Sequence, residues 1–324
     1  MSELNLDQLQ SLDEPQPTLV EHWDKAKNQD KTTAFLWSLP QPFLVFGSMI
    51  MVSSAFVTEW MDPRLLAAIM LIAPLPLILI AERIWTRRSD WELTPKEFFE
   101  DAFWLACGYF LWMPLFDDYY ESPISDAFTW VRETTAFPFT LAPESIVGII
   151  LAAILVKAAV EFIYYWLHRL QHVSLFCWRI HATHHHITKM GAARADRTHP
   201  LEYIALSLGA PIVLAISNAS DAVIATTAAF GFWNGYMNHA NLPLRSGFYG
   251  WIFGTAEMHQ LHHSRDLASS RSNYGGNIII WDRLFGTFSG STDIEAIGAG
   301  TGKPLDIWTQ YKMAFVSDDE LENY

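Results

Sequence analysis

The chemistry-bearing residues of this chain are histidines, and they come in groups. His168 and His172 stand four apart in YYWLHRLQH. His181, His184 and His185 follow in WRIHATHHH as H-x2-H-H, and His259, His262 and His263 repeat that spacing in EMHQLHHS. Residues three and four apart share a helix face, so each box can present its imidazoles from one side of one helix. A lone histidine on a helix is ordinarily a satisfied polar residue, and one H-x3-H pair arises by chance. Three boxes, two of them with the same spacing, are a metal site. Imidazole suits zinc, copper, iron and nickel. A structural zinc takes only four ligands, so eight imidazoles call for two ions.

The elements that must position these boxes are apolar. Of 324 residues, 51% are hydrophobic and only 17% charged, which is greasier than a typical soluble domain. Phe43 to Thr58 and Leu65 to Ala81 carry no charge, and each approaches the roughly 20 residues a bilayer span needs. Pro74 and Pro76 are expected to kink the second. Ala102 to Phe116 is a third apolar run, followed by an acidic, proline-punctuated loop from Asp117 to Glu144. Ser145 to Leu167 is the fourth span and leads straight into His168. Tyr203 to Ser220 and Ala222 to Asn238 read as a helical hairpin that need not cross fully. The expected fold is all-α: an integral membrane helical bundle with a histidine-rich di-metal site at its cytoplasmic face.

That orientation rests on the basic residues. Arg83, Arg87, Arg88 and Lys96 lie between spans two and three, whereas the opposite loops carry only Arg64 and Arg132. Counting four spans from a cytoplasmic N-terminus brings all three boxes to one membrane face. The division expected is a cytosolic tail over 1–40, membrane helices and the acidic loop over 41–143, a catalytic domain over 144–290 and a cytosolic tail over 291–324. The N-terminus is acidic and polar and has no signal-peptide pattern. His22 lies there and reads as solvated. Cys107 and Cys177 have no CxxC partner, so no disulfide framework is inferred. A net charge of −14 argues against nucleic acid, whose phosphates want Lys and Arg.

Polar groups inside a span are functional by default. Glu161 is seven residues before His168 on one helix face and can orient a ligand histidine; it can equally pair with Lys157, four residues before it. His239, in YMNHANLPLR, ends the last apolar run where the boxes must converge and is expected as a ninth metal ligand. His199, in RTHPLE, and Asn241 are placed with Glu161 around the cofactor. His186 points off the face of His181 and His184 and is left out.

Taken together, YYWLHRLQH, WRIHATHHH, MHQLHHS, RTHPLE and the tail NYGGNIIIWDRLFGTF, Asn273 to Phe288, resemble the fatty acid hydroxylase/sterol desaturase superfamily. The resemblance runs roughly from Lys157 to Phe288. It implies two iron ions held by His168, His172, His181, His184, His185, His259, His262 and His263, with His239 as a further match. It also implies O2 as co-substrate and a lipid as the molecule oxidised. The family commonly has Asp where this chain has Glu161, and Ser where it has His186. Neither departure removes a ligand.

The parts suit that chemistry. Attack on an unactivated C–H bond needs an oxidant no side chain supplies, and a metal pair with O2 and two electrons supplies one. The product is a hydroxylated or desaturated lipid. The chain has no flavin or nicotinamide fingerprint, so a ferredoxin or b-type cytochrome is the expected electron donor. Two other readings compete. A zinc-dependent membrane hydrolase would want a catalytic Glu as in H-E-x-x-H, which no box has. A non-catalytic metal-binding membrane protein would spread its histidines through the membrane depth.

Overall fold

The computed structural model describes residues 24–321 and 324; His22 lies outside them. Among the described residues the secondary structure is helix, and β pairing is limited to two isolated bridges, Phe253 with Ile278 and Ser264 with Ile297. Four helical stretches are long and apolar enough to cross a membrane: Lys31–Thr58, Pro63–Ile84, Ile146–Val173 and Pro200–Ser217.

Local sequence sets the helix ends. Helix α1, Pro40–Thr58, starts with proline in its first turn, where a missing N–H costs nothing. Helix α2, Pro63–Ile72, is capped by Asp62, whose side chain accepts from the Leu65 N–H. The expected proline kink is realised as a break: α2 ends at Ala73 and α3, Pro74–Ile84, begins at once. Thr94 and Glu97 form a reciprocal capping box on α4, Pro95–Cys107. Helix α5, Ser122–Thr134, follows. Ser145 caps α6, Ile146–Val173, at the Gly148 N–H.

One stretch departs from the sequence-based expectation. The chain from 117 to 134 is helical rather than a loop. Wide turns at Gly108–Trp112 and Asp117–Glu121 join α4 to α5 through a short helix, Met113–Phe116. Pro114 and Pro123 fall in the first turns of helical segments, where proline is tolerated, and the wide turns absorb the misfit. The apolar run Ala102 to Phe116 is not among the four membrane-length stretches; Pro200–Ser217 is.

Helix α6 shows how the bundle meets its surroundings. Val147, Leu151 and Leu155, one turn apart, are 67%, 57% and 64% exposed, while Ile149, Ala152, Ala153 and Val156 are buried. Large apolar side chains point outward and two alanines are among those turned inward, the pattern of a helix whose outer solvent is lipid and whose neighbours approach closely. A single extended residue, Ser174, separates α6 from α7, Leu175–His185. That break folds the second box back towards the first.

Helix α8, Gly209–Ser217, ends at Asn218 in the left-handed conformation, and α9, Asp221–His239, runs through the middle of the molecule. It packs on α1, α2 and α6. Phe230 and Trp233 of α9 meet Val45, Met49 and Ala153 in one apolar core, with Tyr249, Phe253 and Ile278 from the loops behind. Helix α10, Ala256–His262, carries the third box. Residues beyond 290 pack back on this end: Ile294 and Ile297 join Trp91, Ile187, Met190 and Leu261, and Tyr311 stacks on Trp104.

Candidate metal centre

The break at Ser174, the end of α9 and helix α10 deliver nine histidines to one place, in two groups. His168, His172, His181, His185 and His262 form the first, and His184, His239, His259 and His263 the second. Within each group the ring nitrogens lie within 4.8 Å of one another. The groups adjoin, since the rings of His185 and His263 stack 4.4 Å apart.

Neither group is one sequence box. The second box sends His181 and His185 to one group and His184 to the other. The third sends His262 to the first group and His259 and His263 to the second. On a helix, residues i and i+4 share a face more closely than i and i+1, so adjacent box histidines diverge.

The nitrogens are arranged for cations. His168 Nδ1 lies 2.6 Å from the Tyr274 carbonyl and His262 Nδ1 2.8 Å from that of Ser272. A carbonyl only accepts, so each Nδ1 carries the proton and each Nε2 presents a lone pair. Yet these two Nε2 atoms face each other at 3.0 Å, and His168 Nε2 is also 3.0 Å from His181 Nε2. Facing lone pairs repel unless something positive lies between them. Two nitrogens about 2.1 Å from one ion at right angles are about 3.0 Å apart. In the second group His259 Nε2 is 3.0 Å from His239 Nε2 and 3.2 Å from His263 Nε2, and His239 Nε2 is 3.4 Å from that of His184. Buried Nε2 atoms of His172 and His185 have no hydrogen-bond partner. The donor set fits two metal ions.

Burial keeps these rings in the ligating form. It pulls His181 and His184 down to about 3 and His185, His259, His262 and His263 well below the usual imidazole value. Neutral imidazole is the state that binds metal.

The groups behind the ligands were only partly foreseen. Glu202 Oε1 accepts from His181 Nδ1 at 2.9 Å and from Gln171 Nε2 at 2.8 Å. Glu202 was missed, although it stands in the RTHPLE segment that carried part of the resemblance. The carbonyls of Arg197 and Gly235 face His184 Nδ1 and His239 Nδ1 at 3.2 Å each. Backbone acceptors of this kind have no residue-type signal.

Three residues expected around the cofactor make their hydrogen bonds to other partners than the grouped histidines. Glu161 touches no box histidine. It accepts from the Asn277 N–H and side chain at 2.9 and 2.8 Å and pairs with Lys157 at 3.1 Å. Its helix register is right, but the Tyr274 carbonyl occupies His168 Nδ1. His199 caps a short turn at Leu201 and reaches the Tyr311 carbonyl at 3.1 Å. Asn241 bonds the Arg88 backbone through both side-chain atoms. His186, which follows the second box, lies in neither group.

The fold and the site define a membrane protein built around a buried polyhistidine metal-binding centre. Residues 151–287 match the fatty acid hydroxylase family, part of the superfamily that the boxes resemble. Ornithine lipid hydroxylase OlsE of Rhizobium tropici is 34% identical over 49% of this chain and 47% of its own length. Alkylglycerol monooxygenase of Xenopus tropicalis is 35% identical over 48% of this chain and 34% of its own. A very-long-chain aldehyde decarbonylase of Oryza sativa subsp. indica is 28% identical over 45% and 24%. The chain thus spans about half or less of the length of these curated relatives. No solved structure matches it.

Proposed function

We propose that the protein is a di-iron lipid oxygenase that uses O2 and two external electrons to hydroxylate or desaturate a membrane lipid. The observation that carries this reading is the pair of adjoining imidazole groups of five and four, in a segment whose relatives include lipid hydroxylases and monooxygenases. The nine grouped histidines are the proposed ligands. Two iron ions bound there would supply the O2 activation and the oxidant for C–H cleavage.

The chain's own residues do the rest. The Tyr274 and Ser272 carbonyls hold His168 and His262 in the tautomer that ligates, and Glu202 does the same for His181. Burial excludes water that would compete for the reactive species. The apolar helices give an acyl or polycyclic chain a solvent like its own. Electrons come from a ferredoxin or b-type cytochrome.

The proposed topology keeps the centre at the cytoplasmic face. Arg87 is buried, pairs with Asp24 at 2.8 Å and donates to Gln260, next to His259. The basic segment after the second span therefore shares an end of the molecule with the third box, which supports one basic, cytoplasmic end.

The test is metal analysis with O2 uptake, joined to lipid profiling of cells with and without the gene. Iron, O2 consumption and a lipid that gains an oxygen atom or loses two hydrogens are expected. Zinc with hydrolysis would overturn the reading.

A further inference from the structure

One edge of the centre is less closed than the rest. Eight of the nine grouped histidines are buried, and His184 is only half-buried. Its Nδ1 donates to the Arg197 carbonyl. The preceding residue, Asp196, ends a short turn, Ala192–Asp196, that packs against α9. Asp196 as a residue is half-buried, and burial pushes its carboxyl up to about 6.

Asp196 Oδ2 accepts from the Tyr236 hydroxyl at 2.8 Å, and the Tyr109 hydroxyl lies 2.7 Å from that of Tyr236. Tyr236 has one hydroxyl proton and gives it to the carboxylate. Tyr109 must therefore donate to Tyr236, which fixes the direction of the chain. What stays open is then all of one kind. Tyr109 keeps acceptor lone pairs, and Asp196 Oδ1 has no hydrogen-bond donor among the described residues.

No cation answers this carboxylate either. Neighbouring Arg197 is committed to Asp101 and Glu100, and Arg194 to Glu97 and Asp101. A buried carboxylate holding one hydrogen bond is costly unless a further donor reaches it. Tyr109 is set in place by the wide turn Gly108–Trp112, a distortion that turns a side chain out of helical register. A Cβ at Gly108 would stand 3.0 Å from the Tyr203 hydroxyl, so glycine permits the close approach.

We propose that Asp196, Tyr236 and Tyr109 form an acceptor site for an ammonium or hydroxyl group of the lipid substrate, held beside the His184 edge of the metal centre. The proposal takes from the functional reading only that the substrate is a lipid. It narrows the class to amphiphiles with a free hydrogen-bond donor, and a capped ether or ester fits poorly.

The experiment is binding to the full-length protein as purified, in detergent and with no electron donor added, counted by native mass spectrometry. The probes share one chain: hexadecylamine, hexadecanol and hexadecyl methyl ether. The amine and the alcohol are expected to bind at least about tenfold more tightly than the ether, since the ether alone cannot donate. Asp196→Asn keeps the shape and removes the charge, and is expected to bring the amine down to the level of the alcohol. Asp196→Leu is expected to equalise all three, with helicity checked by circular dichroism. Equal binding of ether and alcohol by the wild-type protein, or a full amine preference in Asp196→Asn, would overturn the site. Binding is scored without turnover, so failure to find lipid oxidation would sink the functional reading and leave this site standing.

Discussion

At the scale of single residues, two buried carboxylates near the boxes divide the roles that the sequence left open for Glu161. Glu161 is two helical turns before His168 yet serves the Asn277 loop; Glu202, in a different element, holds His181. Glu202→Gln is therefore expected to lower metal affinity or activity about 10–100-fold, as losses behind a ligand typically do. Glu161→Gln strands Lys157 in the bundle, which costs about 3 kcal/mol when a buried pair loses one partner. Its melting temperature should fall, Glu161→Gln with Lys157→Met should recover, and the folded fraction should keep its metal. Thermal melts with metal and activity measurements of all the variants check this; normal metal content together with normal activity in Glu202→Gln would refute its part. The grouping makes a second prediction in the second box. His184→Ala should lose most of one ion, whereas His186→Ala, in neither group, should keep both. Equal losses would mean the grouping is wrong.

At the scale of elements, α4 ties the membrane helices to the segment after the second box. Its capping Glu97 also pairs with Lys189 at 2.8 Å and Arg194 at 3.1 Å. Thr94→Ala should destabilise the protein by about 1 kcal/mol, the usual cost of a lost N-cap. Burial alone would raise the Glu97 carboxyl, but Lys189, the Thr94 cap and Arg194 outweigh it and pull it down to about 2. Its folded value is below the unfolded one, so its contribution is complete above the unfolded value and fades as pH falls towards 2. Acid titration of Glu97→Gln against wild type should show a flatter loss of stability for the variant in that window. Coincident curves would count against the cluster. The helical content of residues 117 to 134 was hidden because its acidic residues and Pro123 read as loop signals; Pro123 in fact sits in the first turn of α5.

At the scale of the whole molecule, α6 is 28 residues long, which is about 42 Å at 1.5 Å per residue. Its last turns carry His168 and His172, so the loop before Ser145 lies at the opposite end from the metal centre. A reporter inserted at residue 138 should be on the other side of the membrane from one fused after residue 324. Both on one side would refute a transmembrane α6 and with it the proposed orientation.

The residue types and spacings determined the boxes and the apolar helices. Residue type is local: a histidine repeat on a helix is visible wherever the helix goes, and so is an uncharged run as long as a bilayer. His239 was approachable too, because a histidine closing an apolar helix has few places to be. What only the tertiary structure decided is how the histidines divide. His184 leaves its own box for the company of His239, and His262 joins His168, because helices from three parts of the chain cross there and each adjacent pair of imidazoles points two ways. The same holds for what stands behind the ligands. The Tyr274, Ser272, Arg197 and Gly235 carbonyls that hold four of the rings belong to the backbone, which every residue has. Their position is fixed by packing between distant segments, and no residue name records it.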